Sequence, residues 1–311
     1  MKTAVNGRRE TTGGRGAPAL SYVLITPAHN EEEFIGQTLR SMAAQTVRPL
    51  KWVIVDDGST DRTGELVADY ARKHSWIELI RTGERRERHF AGKVYAFRAG
   101  YEAVRELPFD LVGSMDADLS FEADHFEFLI GKFVENSKLG VGGTPFREEG
   151  ASYDFQFAST DHVSGAMQLF RRECFEAIGG YMPVKGGGID VIAVLSARMR
   201  GWETRTFLER SYDHLRPQSS ANYGVLRARF KDGRKDYVLG AHPLWVLFRG
   251  VYQMTRKPRV LGGCCLTAGY LWSWVRRRER AMDADLIAFR RRWQMGRLRR
   301  LLAGWFRLRG R

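Results

Sequence analysis

Short, almost wholly apolar runs, each cut off by polar or acidic residues and followed by a helical pattern, recur through the first half of the chain. Tyr22 to Thr26 (YVLIT) stops at Pro27, and Trp52 to Val55 is closed by Asp56-Asp57-Gly58-Ser59-Thr60-Asp61. Trp76 to Ile80 precedes a charged loop, and Phe109 to Ser114 runs into Asp116-Ala117-Asp118. Such runs suit strands buried on both faces of a sheet. Between them, Ile35, Leu39 and Met42 recur at helical spacing in a segment starting at Asn30. Glu31, Glu32 and Glu33 are expected in its first turn, where acids favour the helix dipole. Leu66, Val67, Tyr70 and Ala71 mark a second helix, and Val94, Phe97, Tyr101 and Val104 a third, amphipathic one. The alternation predicts an α/β fold with a mostly parallel sheet and helices on both faces.

Sheets of this kind bind ligands beyond the carboxyl ends of their strands. Asn30, Asp56, Asp57 and Asp118 all fall there, so groups from three strands are expected around one crevice. Asp116 and Asp118 are two apart, and in extended chain such side chains point the same way. They can face one divalent cation and, through it, a diphosphate. The spacing alone is unspecific, since D-x-D also occurs in surface turns. Asp56 and Asp61 have a plainer role open to them, capping the helix that follows.

Four motifs in order, ITPAHNEEEFI, VDDGSTDRT, MDADLS and SGAMQLFRRECFEAIGGY, make residues 20–215 resemble the family 2 glycosyltransferases, inverting enzymes of the GT-A fold. The resemblance implies a Rossmann-like GT-A domain over residues 20–220 and a nucleotide-sugar donor. It implies that Pro27, Ala28, Asn30 and Glu31 line the nucleotide pocket and that Asp57, with Asp56 beside it, contacts the nucleoside. Asp118 would be the main ligand of Mg2+ or Mn2+ on the sugar diphosphate, with Asp116 acting through ribose or water. Such a cation neutralises the departing diphosphate.

Inversion also needs a base for the acceptor's proton, usually a carboxylate. The family places it in an acidic pair at a helix start, after a Gly-Gly-aromatic turn; here Gly179-Gly180-Tyr181 precedes Asp190 in that slot. Ile189 stands where the pair's first acid is common, and Phe97 and Arg98 replace a smaller pattern in the third helix. A helix-start acid favourable to the dipole is the plainer reading of Asp190. Lys93, after Gly92, is a candidate nucleotide-binding residue or else a solvated lysine. His214, in SYDHLRPQSS after the strand-like Thr204 to Leu208, is a further candidate metal ligand or a structural loop histidine. Arg216 beside it carries the planar fork that suits a diphosphate.

Of the chain's net charge of +14, ten units come from residues 276–311, where thirteen arginines face Glu279, Asp283 and Asp285. The body is therefore nearly neutral, and the tail is what draws anions. Upstream, Tyr237 to Met254 and Val260 to Val275 are apolar and rich in Trp, Tyr and Gly. The first contains His242, Pro243 and Arg249, and the second is shorter than the ~20 residues a bilayer span needs. Residues 221–311 are thus expected to be a helical, membrane-associating region whose apolar stretches lie in the interface or dip into it as a pair. Leu286, Phe289, Trp293, Leu301, Leu302, Trp305 and Phe306, interleaved with arginines, would form a basic amphipathic anchor on an anionic membrane surface. A packing helix that closes the acceptor side competes with that reading. No nucleic acid partner is expected, because nothing resembles a recognition module.

Residues 1–19, polar, Gly-rich and without an apolar signal region, read as a disordered lead-in. Cys174, Cys264 and Cys265 lack C-x-x-C spacing, which fits a reducing compartment. The expectation is a cytoplasmic enzyme, peripheral or monotopic at the inner membrane face, that moves a sugar to a lipid-linked or membrane-located hydroxyl acceptor. Two alternatives are transfer to a polyprenyl phosphate itself, with Asp190 less needed, and an inactive domain that docks through its basic tail.

Overall fold

A computed structural model describes residues 20–83, 91–147, 159–184, 186–216 and 224–309. The lead-in over residues 1–19 and the side chains of Trp305 and Phe306 lie outside that description.

The apolar runs form β1 (Tyr22–Ala28), β2 (Lys51–Asp57), β3 (Ile77–Thr82) and β4 (Leu111–Met115), parallel neighbours in the order β3-β2-β1-β4. The sheet continues through β8 (Met167–Arg171), antiparallel to β4, and on to β6 (Leu139–Gly143) and β9 (Glu203–Thr206). Alternate residues of the central strands enter different cores, as the two-residue period requires. Val23, Ile25, Val53 and Val55 share one with Phe97 of α3 (Ala91–Val104), Phe175 of α5 (Arg172–Ala177) and Ile192 of α6 (Ile189–Met199). Leu24, Trp52 and Ile54 share the other with Leu39 of α1 (Ile35–Ala43), Val67 of α2 (Thr63–Lys73) and Phe133 of α4 (His125–Glu135). A small second sheet runs in the order β5 (Leu119–Ser120), β10 (Tyr212–His214), β7 (Phe146–Arg147).

Two expected boundaries move. β1 continues past Pro27, which pairs with Val55. The last β1–β4 pair is Ile25 with Ser114, so the missing proline N–H interrupts no ladder on that side. The first helix starts at Ile35 rather than after Asn30, and no acid lies in its first turn. Asn30 sits at φ 53°, donates its amide to Ser59 Oγ (3.0 Å) and accepts from the Thr60 amide through Oδ1 (2.8 Å). These bonds hold it in the left-handed region, which asparagine tolerates better than most residues, and the chain must turn before it can become helical.

The C-terminal region forms α7 (Val225–Val238), α8 (Pro243–Met254), α9 (Leu261–Val275) and α10 (Ala284–Arg309). α9 lies along α7 in near backbone contact. A Cβ added to Gly233 would stand 1.9 Å from the Leu266 carbonyl oxygen, and one on Gly269 2.1 Å from that of Phe230. The glycines of the second apolar stretch therefore serve close helix packing. Buried Asp236 of α7 is paired with Arg249 of α8 and, at 3.3 Å, with Arg290 of α10, tying three helices together. Met282 and Leu286 join the core beside α6, and Leu286, Arg290, Gln294 and Leu298 are buried. The start of the basic tail is thus a packing helix, which corrects the expectation of an anchor lying wholly on the surface. Among the described residues no helix is long and apolar enough to cross a membrane.

Candidate active site

The loops after β1, β2 and β4 meet at one end of the sheet. The Asp116 amide donates to the Ala166 carbonyl (2.8 Å), fixing the chain as it leaves β4. Thr38 Oγ1 of α1 contacts the carbonyls of Ala117 (2.7 Å) and Leu119 (2.8 Å) and accepts from the Leu119 amide (3.0 Å). So held, Asp118 is turned inward and buried. β5 then pairs antiparallel with β10, His214 opposite Leu119, and this delivers an imidazole to the acids. His214 Nε2 stands 3.9 Å from Asp118 Oδ1, and ligand atoms of Asp116, Asp118 and His214 all lie within 4.8 Å of one another.

His214 Nδ1 is 2.7 Å from the Arg216 carbonyl, which can only accept, so Nδ1 carries a proton and the ring presents Nε2 toward Asp118. Burial and the neighbouring Asp116 raise the Asp118 carboxyl above its usual range. Burial, then Asp118, push Glu31 up to about 7, against the pull of Arg216. Arg216 donates to Glu31 Oε2 (2.5 Å) and lies 3.8 Å from Asp118. Crowded, partly desolvated carboxylates beside a free imidazole nitrogen fit a hard divalent cation such as Mg2+ or Mn2+, which would relieve their repulsion.

Lys93 connects this cluster to the candidate base. Its Nζ is paired with Asp116 and donates to the Gly165 carbonyl (3.3 Å). Gly165 in turn lies against Asp190, and a Cβ there would be 2.8 Å from the Asp190 Cβ. Asp190 is half-buried in the first turn of α6, with Oδ2 3.8 Å from His162 Nε2. Burial keeps the His162 imidazole below its usual range despite Asp190. Sequence reasoning passed over His162; the available signal was a histidine just ahead of SGAMQLF. The Tyr181 hydroxyl donates to Gln168 Oε1 (2.7 Å), which seats the aromatic of the Gly-Gly-Tyr turn in the core.

The acids after β2 divide their roles. Asp56 is buried, accepts from the Ser59 amide (2.9 Å) and lies 3.9 Å from Arg81, so it tightens its own turn. Asp57, half-buried, accepts from Thr82 Oγ1 (2.9 Å). Asp61 accepts from the amides of Thr63 (3.0 Å), the first residue of α2, and Glu32 (3.1 Å). Pro27 and Ala28 close β1 beside them, Ala28 opposite Asp56.

Over residues 23–184 the chain matches Glycosyl transferase family 2. It is 29% identical over 184 residues to the poly-beta-1,6-N-acetyl-D-glucosamine synthase of Staphylococcus epidermidis, a match covering 51% of this chain and 41% of that protein. It is 27% identical over 200 residues to the 4,4'-diaponeurosporenoate glycosyltransferase of Staphylococcus aureus, covering 57% and 51%. The chain thus spans about half or less of the length of these curated relatives. Among solved structures, mannosyltransferase PcManGT from Pyrobaculum calidifontis, in complex with GDP-Man and Mn2+, aligns with a TM-score of 0.56 at 19% identity, over 87% of this chain and 79% of that one. That likeness is one of fold: the mostly parallel GT-A sheet with helices on both sides.

Proposed function

The chain belongs to glycosyl transferase family 2, and from that premise we propose that it moves a sugar, with inversion, from a nucleotide-diphosphate sugar to a hydroxyl of a lipid-linked or membrane-located acceptor. The observation that carries this reading is the continuous connection from Asp118 and His214, through Asp116, Lys93 and Gly165, to Asp190. That connection supports a metal-diphosphate site and a basic carboxylate sharing one crevice.

In this reading Asp116, Asp118 and His214 would hold Mg2+ or Mn2+, which when bound would neutralise the leaving diphosphate. Lys93 holds the Asp116 carboxylate in place through their ion pair, and Asp57 with the Asn30 and Glu31 loop receives the nucleoside. Arg216 is positioned to exchange Glu31 for a diphosphate oxygen. Asp190 accepts the proton of the attacking hydroxyl as the new glycosidic bond forms and the bond from sugar to diphosphate breaks, with His162 steadying its orientation.

Membrane attachment draws support from the C-terminal helices. Leu244, Leu247 and Val251 are exposed along one face of α8, and exposed Trp274 and Val275 end α9 just before Arg276, Arg277 and Arg278. From Pro243 to Arg278 the sequence has seven basic residues and no acid, the composition of a surface that meets anionic lipid. That surface fits a peripheral or monotopic enzyme at the cytoplasmic membrane face, in polysaccharide or glycolipid assembly.

The test is binding of UDP, GDP, dTDP and CMP with Mn2+ or with EDTA, in the wild type and in Asp118→Asn. Tight binding of a nucleoside diphosphate that needs both metal and Asp118 supports the reading, and no binding by a folded protein overturns it. Retained turnover in Asp190→Asn would favour transfer to a polyprenyl phosphate, whose oxygen is already anionic.

A further inference from the structure

Four consecutive carbonyls, Thr160 to Val163, accept hydrogen bonds from β8 and β9. The Thr206 amide donates to Thr160 (2.6 Å), Thr204 Oγ1 to Asp161 (2.6 Å), Thr206 Oγ1 to His162, and Gln168 Nε2 to Val163 (3.0 Å). Thr204, Thr206 and Gln168 are all buried. A stretch outside regular structure whose carbonyls are all met in this way has a fixed path. His162 is therefore presented from a rigid backbone.

The imidazole stands between two spaces. On one side Nε2 is 3.8 Å from Oδ2 of Asp190, which lies against Gly165 and so toward the metal cluster. On the other, His162 forms part of the wall of a cavity of about 560 Å3 between α6 and the C-terminal helices. Asp161, Arg198, Arg229, Asp232 and Gln294 share that wall, so the cavity suits water. Among the described residues the ring has no polar partner besides Asp190. Asp190 is in turn the only acid in the first turn of α6, since Ile189 beside it is buried in the core. A proton taken by Asp190 has no second carboxylate on that turn to move to.

The charges facing His162 are Asp190 of α6, exposed Lys235 of α7 and buried Arg290 of α10. Asp161, next to it in the chain, is paired with Arg198 (3.3 Å). Burial is the chief cause that holds the imidazole below its ordinary 6.5; Asp190 opposes it and the two cations add to it. The ring is thus neutral near pH 7 and able to receive a proton.

We propose that His162 relays the proton that Asp190 takes from the attacking hydroxyl to water in the adjoining cavity. The inference rests on the transferase reading above and adds to it the proton's way out. A lone pair of the hydroxyl oxygen forms the glycosidic bond, and the bond from sugar to diphosphate breaks with its electron pair on the diphosphate. The hydroxyl proton passes to Asp190 Oδ2, then to His162 Nε2, then to water, so both groups end as they began. The 3.8 Å separation is longer than a hydrogen bond, and contacts between catalytic groups commonly shorten when substrate closes the site.

The experiment follows hydrolysis of the UDP-, GDP- or dTDP-sugar whose nucleotide binds, with water as acceptor, from about pH 5 to about 8. His162→Gln should lower kcat about tenfold or more, with KM for the nucleotide sugar near that of the wild type. Wild-type kcat should fall as the pH drops through the value of the imidazole, because a protonated ring cannot receive a proton; in His162→Gln that acid limb should move to lower pH. Added imidazole should restore turnover to His162→Ala. An unchanged acid limb, or no rescue by imidazole, would overturn the relay, since a histidine that only steadies Asp190 gives both results. A check without any variant is kcat of the wild type in mixtures of H2O and D2O, where two protons in transit bend the plot and a straight line counts against the relay. Nucleotide sugar that binds the wild type and is never hydrolysed would also sink it. Failure of nucleotide binding in the wild type would instead overturn the transferase reading, so the two failures are distinguishable.

Discussion

His214 Nε2 stands 3.9 Å from Asp118 Oδ1 because β10 pairs with β5 and sets His214 opposite Leu119. With Nδ1 held by the Arg216 carbonyl at 2.7 Å, the ring is oriented to give its other nitrogen to a cation. Replacing His214 by Ala should weaken Mn2+-supported nucleotide binding on the order of 10- to 100-fold. Asp118→Asn should abolish it. Titration with and without EDTA reads both, and an unchanged metal requirement in His214→Ala would remove the imidazole from the site.

Gly165 is tight against Asp190, with room for no Cβ between them. Gly165→Ala should push the Asp190 carboxylate aside and lower turnover, while nucleotide affinity stays near that of the wild type. Asp190→Asn should lower kcat on the order of 10²- to 10⁴-fold. A steady-state comparison of kcat with nucleotide affinity separates this from general damage; loss of both together in Gly165→Ala would mean that the substitution disturbs the Lys93 contact as well.

Gly233 and Gly269 let α7 and α9 approach to backbone contact. A methyl group at Gly233 must move one helix, so Gly233→Ala should destabilise the protein by about 1 to 3 kcal/mol, the usual range for overpacking. Thermal or urea unfolding measures it. Gly296→Ala, where an added Cβ meets nothing within 4 Å, is the control and should leave stability within a few tenths of a kcal/mol or raise it.

His125 is buried, 3.2 Å from Thr144 Oγ1, and burial pushes its imidazole from 6.5 down to about 4. The unfolded chain therefore takes up a proton near pH 6.5 that the folded chain refuses until about pH 4. Its contribution is full above pH 6.5 and is lost as the pH falls toward 4, by about 3 kcal/mol in total. Unfolding by denaturant across that window should show the decline, and His125→Gln should flatten it.

Leu247 and Trp274 are exposed at 54% and 61% on the acid-free segment. Changing both to Glu should reduce sedimentation with vesicles containing anionic lipid, and raising salt should do the same to the unaltered protein, since the basic component is screened. Equal recovery of wild type and variant with the vesicles would place the membrane contact elsewhere.

What the sequence determined by itself is local. Buried strands and amphipathic helices leave a period in the chain, and β1 to β4 with α1 to α3 were legible from it, to within a few residues at their ends. The acids beyond β2 and β4 were legible because strand ends in such a sheet converge. Tertiary structure decided what touches what. The helical spacing of Ile35, Leu39 and Met42 could not reveal that Asn30 would be held at φ 53° by the next loop and delay the helix. His214 gained its relation to Asp118 from a strand pairing between distant segments, and His162 met Asp190 through packing that no local pattern records. The Gly-rich apolar stretch of α9 was ambiguous for a physical reason: lipid and a neighbouring helix both favour apolar surface, and only the contact of Gly233 with Leu266 and of Gly269 with Phe230 assigns that face to protein.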